Sequence, residues 1–158
     1  MAVAADSFKQ ALARWASGVT IVTARHGADV HGMTVSAFAS VSLEPPLVLV
    51  CADKTSNTNA LIQRSGVFSV NVLARGQEAL SNKFASKKQE WERFVGLECK
   101  DGATGCPRIP GAAVALDCTV TQTVDAGDHL VYIGYVEDAA VTDSAPLVYY
   151  RAAYHTLG

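Results

Sequence analysis

Apolar and polar positions change period along this chain, and the changes mark its elements. Near the start Phe8, Leu12 and Trp15 recur at helical spacing, Ser7-Phe8-Lys9-Gln10 reads as a capping box, and Gly18 stands where a helix can close. A short helix is expected there, with its aromatic face on a sheet. β-Branched residues then take over. The runs Val19 to Thr23 and Val30 to Val35 flank a turn-like His26-Gly27-Ala28-Asp29, which predicts a β-hairpin. Ala39 to Leu43 reads as a third strand that stops at Glu44-Pro45-Pro46, because proline brings no N–H to a ladder. Leu47 to Cys51 follows as a buried strand.

The polar stretch Asp53 to Asn59 suits a turn and a cap, with a short helix over about residues 58–64 behind it. Val67 to Leu73 is the next strand, and Gln77 to Ser86 reads as a helix with Leu80 and Phe84 on one face. Residues 87–111 mix charge with glycine and proline and predict a long surface loop anchored by Trp91 and Phe94. Val114, Leu116, Cys118 and Val120 then alternate with Asp117, Thr119, Thr121 and Thr123, the pattern of a strand with one wet face. Asp125-Ala126-Gly127-Asp128 turns it back into His129 to Val136, which is apolar on both parities and so predicts a strand covered on both sides. About seven strands, few short helices and no βαβ alternation predict a mostly β protein: a closed antiparallel barrel with helices plugging its ends. One domain over residues 1–158 is expected.

Composition narrows the function. The 158 residues are 49% hydrophobic, enough for one core, and 13 Lys and Arg against 15 Asp and Glu leave no basic footprint for nucleic acid. The apolar run Leu47 to Ala52 falls far short of the roughly 20 residues a membrane span needs. The N-terminus has neither a cationic region nor a sustained apolar run, so no signal peptide and a cytoplasmic address are expected. Cys51, Cys99, Cys106 and Cys118 read as free thiols, and they and the four histidines meet no metal template, so no metal is expected. Rossmann, P-loop and nucleophile-elbow signatures are absent.

Five segments taken in order carry a resemblance: GVTIVTA (Gly18 to Ala24), GMTVSAFASVSLEPPLVLV (Gly32 to Val50), DKTSNT (Asp53 to Thr58), FSVNVLA (Phe68 to Ala74) and GDHLVYIGYV (Gly127 to Val136). Together they resemble the flavin reductase family over nearly the whole chain. The resemblance implies an FMN-binding split barrel, a homodimer, and the reductase component of a two-component flavin-dependent monooxygenase. It further implies hydride transfer from NADH or NADPH to FMN or FAD, with reduced flavin passed to a partner oxygenase. A reductase of the same fold serving another acceptor, and a flavin- or haem-binding barrel without turnover, are the alternatives.

Site residues follow from the same resemblance. The flavin is expected along Met33, Thr34, Val35 and Ser36 and along Ser40, Val41 and Ser42. Asp53, Lys54, Ser56 and Thr58 form the implied phosphate seat, although as an isolated motif they read rather as a polar turn with Thr58 as a helix cap. Asn71, Gln77, Ser81 and Phe84 are further expected cofactor contacts, and Tyr154 with Tyr149, Tyr150, Arg151 and His155 walls either the nucleotide pocket or a dimer seam, or forms a last strand. His129 is the expected active-site side chain, orienting the nicotinamide rather than shuttling a proton; alone, Gly127-Asp128-His129 also suits a hairpin turn. Many relatives have paired serines where this chain has Ser36-Ala37, which bears on FMN versus FAD preference. Lys83, Lys87, Lys88 and Arg93 read as a solvated face or as a seat for an NADPH 2′-phosphate.

Overall fold

The computed structural model describes residues 1–158. In chain order the elements are helix α1 (Ala5–Ala13), strands β1 (Ser17–Gly18), β2 (Thr20–His26), β3 (Asp29–Val35), β4 (Phe38–Ser42) and β5 (Leu47–Asp53), helix α2 (Asn57–Ser65), β6 (Val67–Val72) and helix α3 (Glu78–Ala85). A 3₁₀ turn (Glu90–Glu92), β7 (Lys100–Asp101), β8 (Pro107–Arg108), β9 (Val114–Ala126), β10 (His129–Val141), β11 (Val148–Tyr150) and β12 (Ala153–His155) complete the chain. It is mostly β with three short α-helices, as the patterning predicts.

Seven strands form one antiparallel sheet in the order β3-β2-β6-β9-β10-β5-β4. If flat, six steps of about 4.8 Å would hold its two edges about 29 Å apart. Yet the edge strands β3 and β4 are joined by Ser36 and Ala37 alone, so Val35 and Phe38 lie within about 11 Å. The sheet must therefore curl until its edges meet at that link, although no ladder of hydrogen bonds joins β3 to β4. Its concave face packs residues two apart along each strand: Val22 and Ala24, Val48 and Val50, Phe68 and Val70, Leu130 and Tyr132, with Leu61 and Ile62 of α2 closing one end. A second cluster, Val19, Ile21, Leu73, Phe84, Ile109 and Leu147, forms on the outer parity of β2 beneath α3.

Four local expectations change. Helix α1 starts at Ala5 behind Ala4, which offers no side-chain cap, so Ser7 and Gln10 form no capping box; it ends at Arg14, and Gly18 belongs to β1. No residue of α1 is buried, and Phe8, Leu12 and Trp15 stand exposed because the helix rests beside the sheet edge without turning that face inward. Asp117, on the polar parity of β9, is fully buried: Arg108 reaches it from β8, and Gly102 leaves room where a Cβ would strike the carboxylate. Within 87–111, Phe94 anchors edge-on against Phe84 at 5.1 Å, but Trp91 is exposed, while Arg93, Cys106 and Ile109 are buried. Strand β10 buries one face only: Leu130 and Tyr132 are inside, whereas Val131 and Ile133 stay half-exposed.

Candidate functional site

Strand β3 is an edge, so one side of its backbone has no ladder partner, and its last residues border a continuous groove. Thr20 Oγ1 donates to the Val35 carbonyl and Thr34 Oγ1 to the Ser81 carbonyl, each at 2.6 Å, which fixes this segment against β2 and α3. Four clefts meet there. A cleft of about 190 Å³ is lined by Met33, Thr34, Val35, Ser36, Ala37, Cys51, Asp53 and His129. A second, about 250 Å³, runs from Met33, Thr34 and Asp53 to Ser56, Asn57, Phe84, Lys87 and Arg93 at the start of α2. A third, about 330 Å³, joins Thr34 and Ser36 to Ser81, Asn82, Tyr149, Ala152 and Tyr154 under α3. The fourth, about 420 Å³, joins Ser36 and Ala37 to Trp15, Phe38, Tyr149 and Arg151 beside α1.

The turn after β5 is built from short polar side chains bonding their own backbone, the habit that keeps them out of strands. Asp53 Oδ1 accepts from Thr55 Oγ1 at 2.6 Å and from Thr55 N–H at 2.8 Å. Those bonds hold its carboxyl below the usual aspartate range. Ser56, not Thr58, caps α2: its Oγ accepts from Asn59 N–H at 3.1 Å. Thr58 is fully buried and its hydroxyl has no partner. Lys54 pairs with Asp125 at 2.6 Å, which turns its ammonium away from the groove's lining. Asn59 Oδ1 accepts from the buried Tyr132 hydroxyl, tying α2 into the core, and burial pushes that phenol up to about 12.

His129 opens β10 directly opposite Asp53 of β5, with Nδ1 2.7 Å from Asp128 Oδ1. The motif is thus a turn and a groove residue at once: Gly127 takes φ 68° in the hairpin, and the imidazole is half-exposed at the cleft. Cys51 shares that cleft, but burial raises its pKa, so it remains a thiol.

The structure therefore gathers Met33, Thr34, Val35, Ser36, Asp53, Ser56, Ser81, Phe84, His129 and Tyr154 along one groove. Ser40, Val41 and Ser42 sit further along β4, outside these linings. Asn71 is buried with its amide consumed by the Ile21 carbonyl and Ile109 N–H, and Gln77 bonds Ala74 N–H and the Pro110 carbonyl. Both lie apart from the groove as fold-holding side chains.

Arg93, read from sequence as part of a solvated face or of a phosphate seat, lines the groove. Rather than joining a solvated face it is buried, with Nη1 donating to the Gly32 carbonyl and Nη2 to the Ser86 carbonyl, each at 2.8 Å, and Glu90 at 3.4 Å. Burial lowers its pKa, and its Nε has no partner at the wall of the α2 cleft.

Residues 12–158 match the Flavin reductase like domain. The reductase component of 4-hydroxyphenylacetate 3-monooxygenase from Thermus thermophilus is 39% identical over 153 residues, 96% of each chain. An NADH-dependent flavin reductase from a Rhodococcus species is 42% identical over 154 residues, 94% of this chain and 84% of that one. Among solved structures, flavin reductase PheA2 in its native state superposes with a TM-score of 0.91 at 36% identity, covering 99% of both chains. The NADH:FAD oxidoreductase SgcE6 of Streptomyces globisporus, solved with NAD and FAD fragments, gives 0.90 at 29% identity over 97% of this chain and 92% of that one.

Proposed function

Because the chain belongs to the flavin reductase family, we propose that it is an NAD(P)H:flavin oxidoreductase that reduces FMN or FAD and supplies a partner monooxygenase. One observation carries the reading: the Met33 to Ser36 edge, the Asp53 to Ser56 turn and His129, remote in sequence, border a single groove. A flavin nucleotide needs a flat slot with polar edges and a seat for phosphate. The fit is supported by the unpaired backbone edge of β3, by the free N–H groups at the start of α2, and by a buried Arg93 Nε without a partner.

When bound, the flavin ring accepts a hydride, two electrons with one proton, at N5 from C4 of the reduced nicotinamide. The chain's own task is placement. Met33, Thr34, Val35 and Ser36 grip the ring edge, Ser56 with Arg93 and Lys87 seat the phosphate end, and His129 orients the nicotinamide. Thr34 and Arg93 hold β3 so that this edge stays fixed. The curled sheet with its edges at Ser36 and Ala37 supports a split barrel as the architecture, and the domain acts as one unit. A homodimer is part of the reading, supported by a half-exposed apolar face on β5 and β10. No helix is long and apolar enough to cross a membrane, and four free thiols suit a reducing compartment, which supports the cytoplasm.

Steady-state NADH oxidation with and without added FMN or FAD tests the activity, and quenching of flavin fluorescence tests the groove. Flavin-dependent turnover and a saturable titration are expected. A titration that shows no saturable change with either flavin removes the basis of the reading.

A further inference from the structure

Two adjacent residues, Arg151 at φ 50° and Ala152 at φ 59°, stand in the left-handed region between β11 and β12. The pairing of Tyr150 with Ala153 makes this a two-residue hairpin loop, where asparagine and glycine relieve the strain that arginine and alanine keep. The strained turn is clamped: Arg151 N–H donates to the Ala13 carbonyl at 3.0 Å, and the Tyr154 hydroxyl lies 2.7 Å from Ser81 Oγ and Asn82 Oδ1. The Arg151 side chain is exposed on the cleft beside α1 and has no carboxylate within ion-pair distance.

Charge along the groove is unevenly shared. Lys87 and Arg93 stand in the cleft at α2, while the clefts around His129 and under α3 contain neither lysine nor arginine. The fourth cleft has Arg151 as its one such cation. It meets the His129 cleft at Ser36 and Ala37, and the Trp15, Phe38 and Tyr149 rings line it. A dinucleotide donor brings phosphates besides the flavin's, and with its nicotinamide at His129 the cleft that adjoins at Ser36 and Ala37 offers them a cation of their own. We propose that Arg151 binds a phosphate of the dinucleotide hydride donor in the cleft between α1 and the β11–β12 turn. This rests on the flavin reductase reading, and it explains why a strained turn keeps an arginine where asparagine would sit at ease.

Arg151→Asn tests it, since asparagine accepts the left-handed conformation while losing the charge. KM for NADH should rise about tenfold, the loss of one charge-assisted hydrogen bond partly screened by solvent. Flavin affinity and Tm should not fall, the ionic-strength dependence of kcat/KM for NADH should flatten, and Arg151→Lys should recover most of the effect. Running NADPH beside NADH locates the contact: equal increases place it on the pyrophosphate alone, and a larger increase for NADPH adds the 2′-phosphate to it. An unchanged KM in Arg151→Asn, beside an active wild type, overturns the proposal, as does a rise that comes with lost Tm and lost flavin affinity. A wild-type protein that fails to oxidise NADH with either flavin defeats the functional reading itself.

Discussion

A histidine that opens a strand can be removed without unmaking the strand, because the ladder is built from backbone groups. His129→Ala should therefore fold normally and lose roughly ten- to a hundredfold in flavin-dependent NADH oxidation, the effect of one positional contact of about 1 to 3 kcal/mol. Flavin affinity, measured separately by quenching, should barely move; wild-type turnover with wild-type KM for NADH would reduce Gly127-Asp128-His129 to a turn. Arg108 plays the opposite part. Its Nε donates at 3.0 Å to the fully buried Asp117, and its Nη2 donates to Asp117 and, at 2.8 Å, to Asp138. Arg108→Ala strands a buried carboxylate and should cost about 3 kcal/mol in urea unfolding, with NADH oxidation at saturating substrate largely kept in the folded fraction. The same guanidinium holds the Asp138 carboxyl below its usual range. A group with a lowered folded-state pKa stabilises above its unfolded value of about 3.9 and loses that contribution as pH falls below it. Urea midpoints should thus drop between pH 5 and pH 3, and Asp138→Asn should flatten the drop.

The β9–β10 hairpin is held in register by pairing along both strands, with a shift between Ile133 and Gly134. Gly134 sits where an added Cβ would come within 2.6 Å of Phe68 Cζ and 2.9 Å of Cys118 Cβ. Phe68 is a fully buried ring with no space to swing, so Gly134→Ala should destabilise by about 2 kcal/mol, read as a lowered Tm. An Ala variant with wild-type Tm would mean that the core yields at this point. The strands themselves are legible in sequence because their period is local: Val114, Leu116 and Cys118 alternate whatever lies far away. Asp117 is misread by that logic, since its burial depends on Arg108 and Gly102, residues of a segment without period. The candidate site divides the same way. Met33 to Ser36, Asp53 to Ser56 and His129 are short contiguous signals, whereas Arg93, Lys87 and the strained Arg151-Ala152 turn enter the groove only through tertiary folding. Helix α1 is a local failure of another kind: its spacing is right, but nothing in spacing states whether a face meets the sheet or water.

At the scale of the molecule, one apolar surface lacks a cover. Tyr132 and Val50 pair across β10 and β5 inside the core, so their neighbours Val131 with Cys51, Ile133 with Leu49 and Tyr135 with Leu47 point to the convex side. Ala39 of β4 extends this face as the partner of Leu49. Helices α2 and α3 pack mainly on β2 and β3, α1 buries no residue at all, and these β5 and β10 side chains remain partly exposed. Strands apolar on both parities belong to sheets buried on both faces, which the single chain does not achieve here. A second copy meeting this face through a two-fold axis would cover it with the same residues, and a stable pair needs about 800 Å² from each partner, an area within the reach of three adjacent strands. Light scattering at micromolar concentration should therefore give twice the 16.6 kDa chain mass. Ile133→Lys would place a charge at the centre of the face, with its partner Leu49 opposite, while leaving the concave core untouched. It should shift the mass to that of one chain and keep the far-ultraviolet circular dichroism of the wild type. A monomer mass for the wild type, or an undiminished dimer in Ile133→Lys, would move the interface off this face.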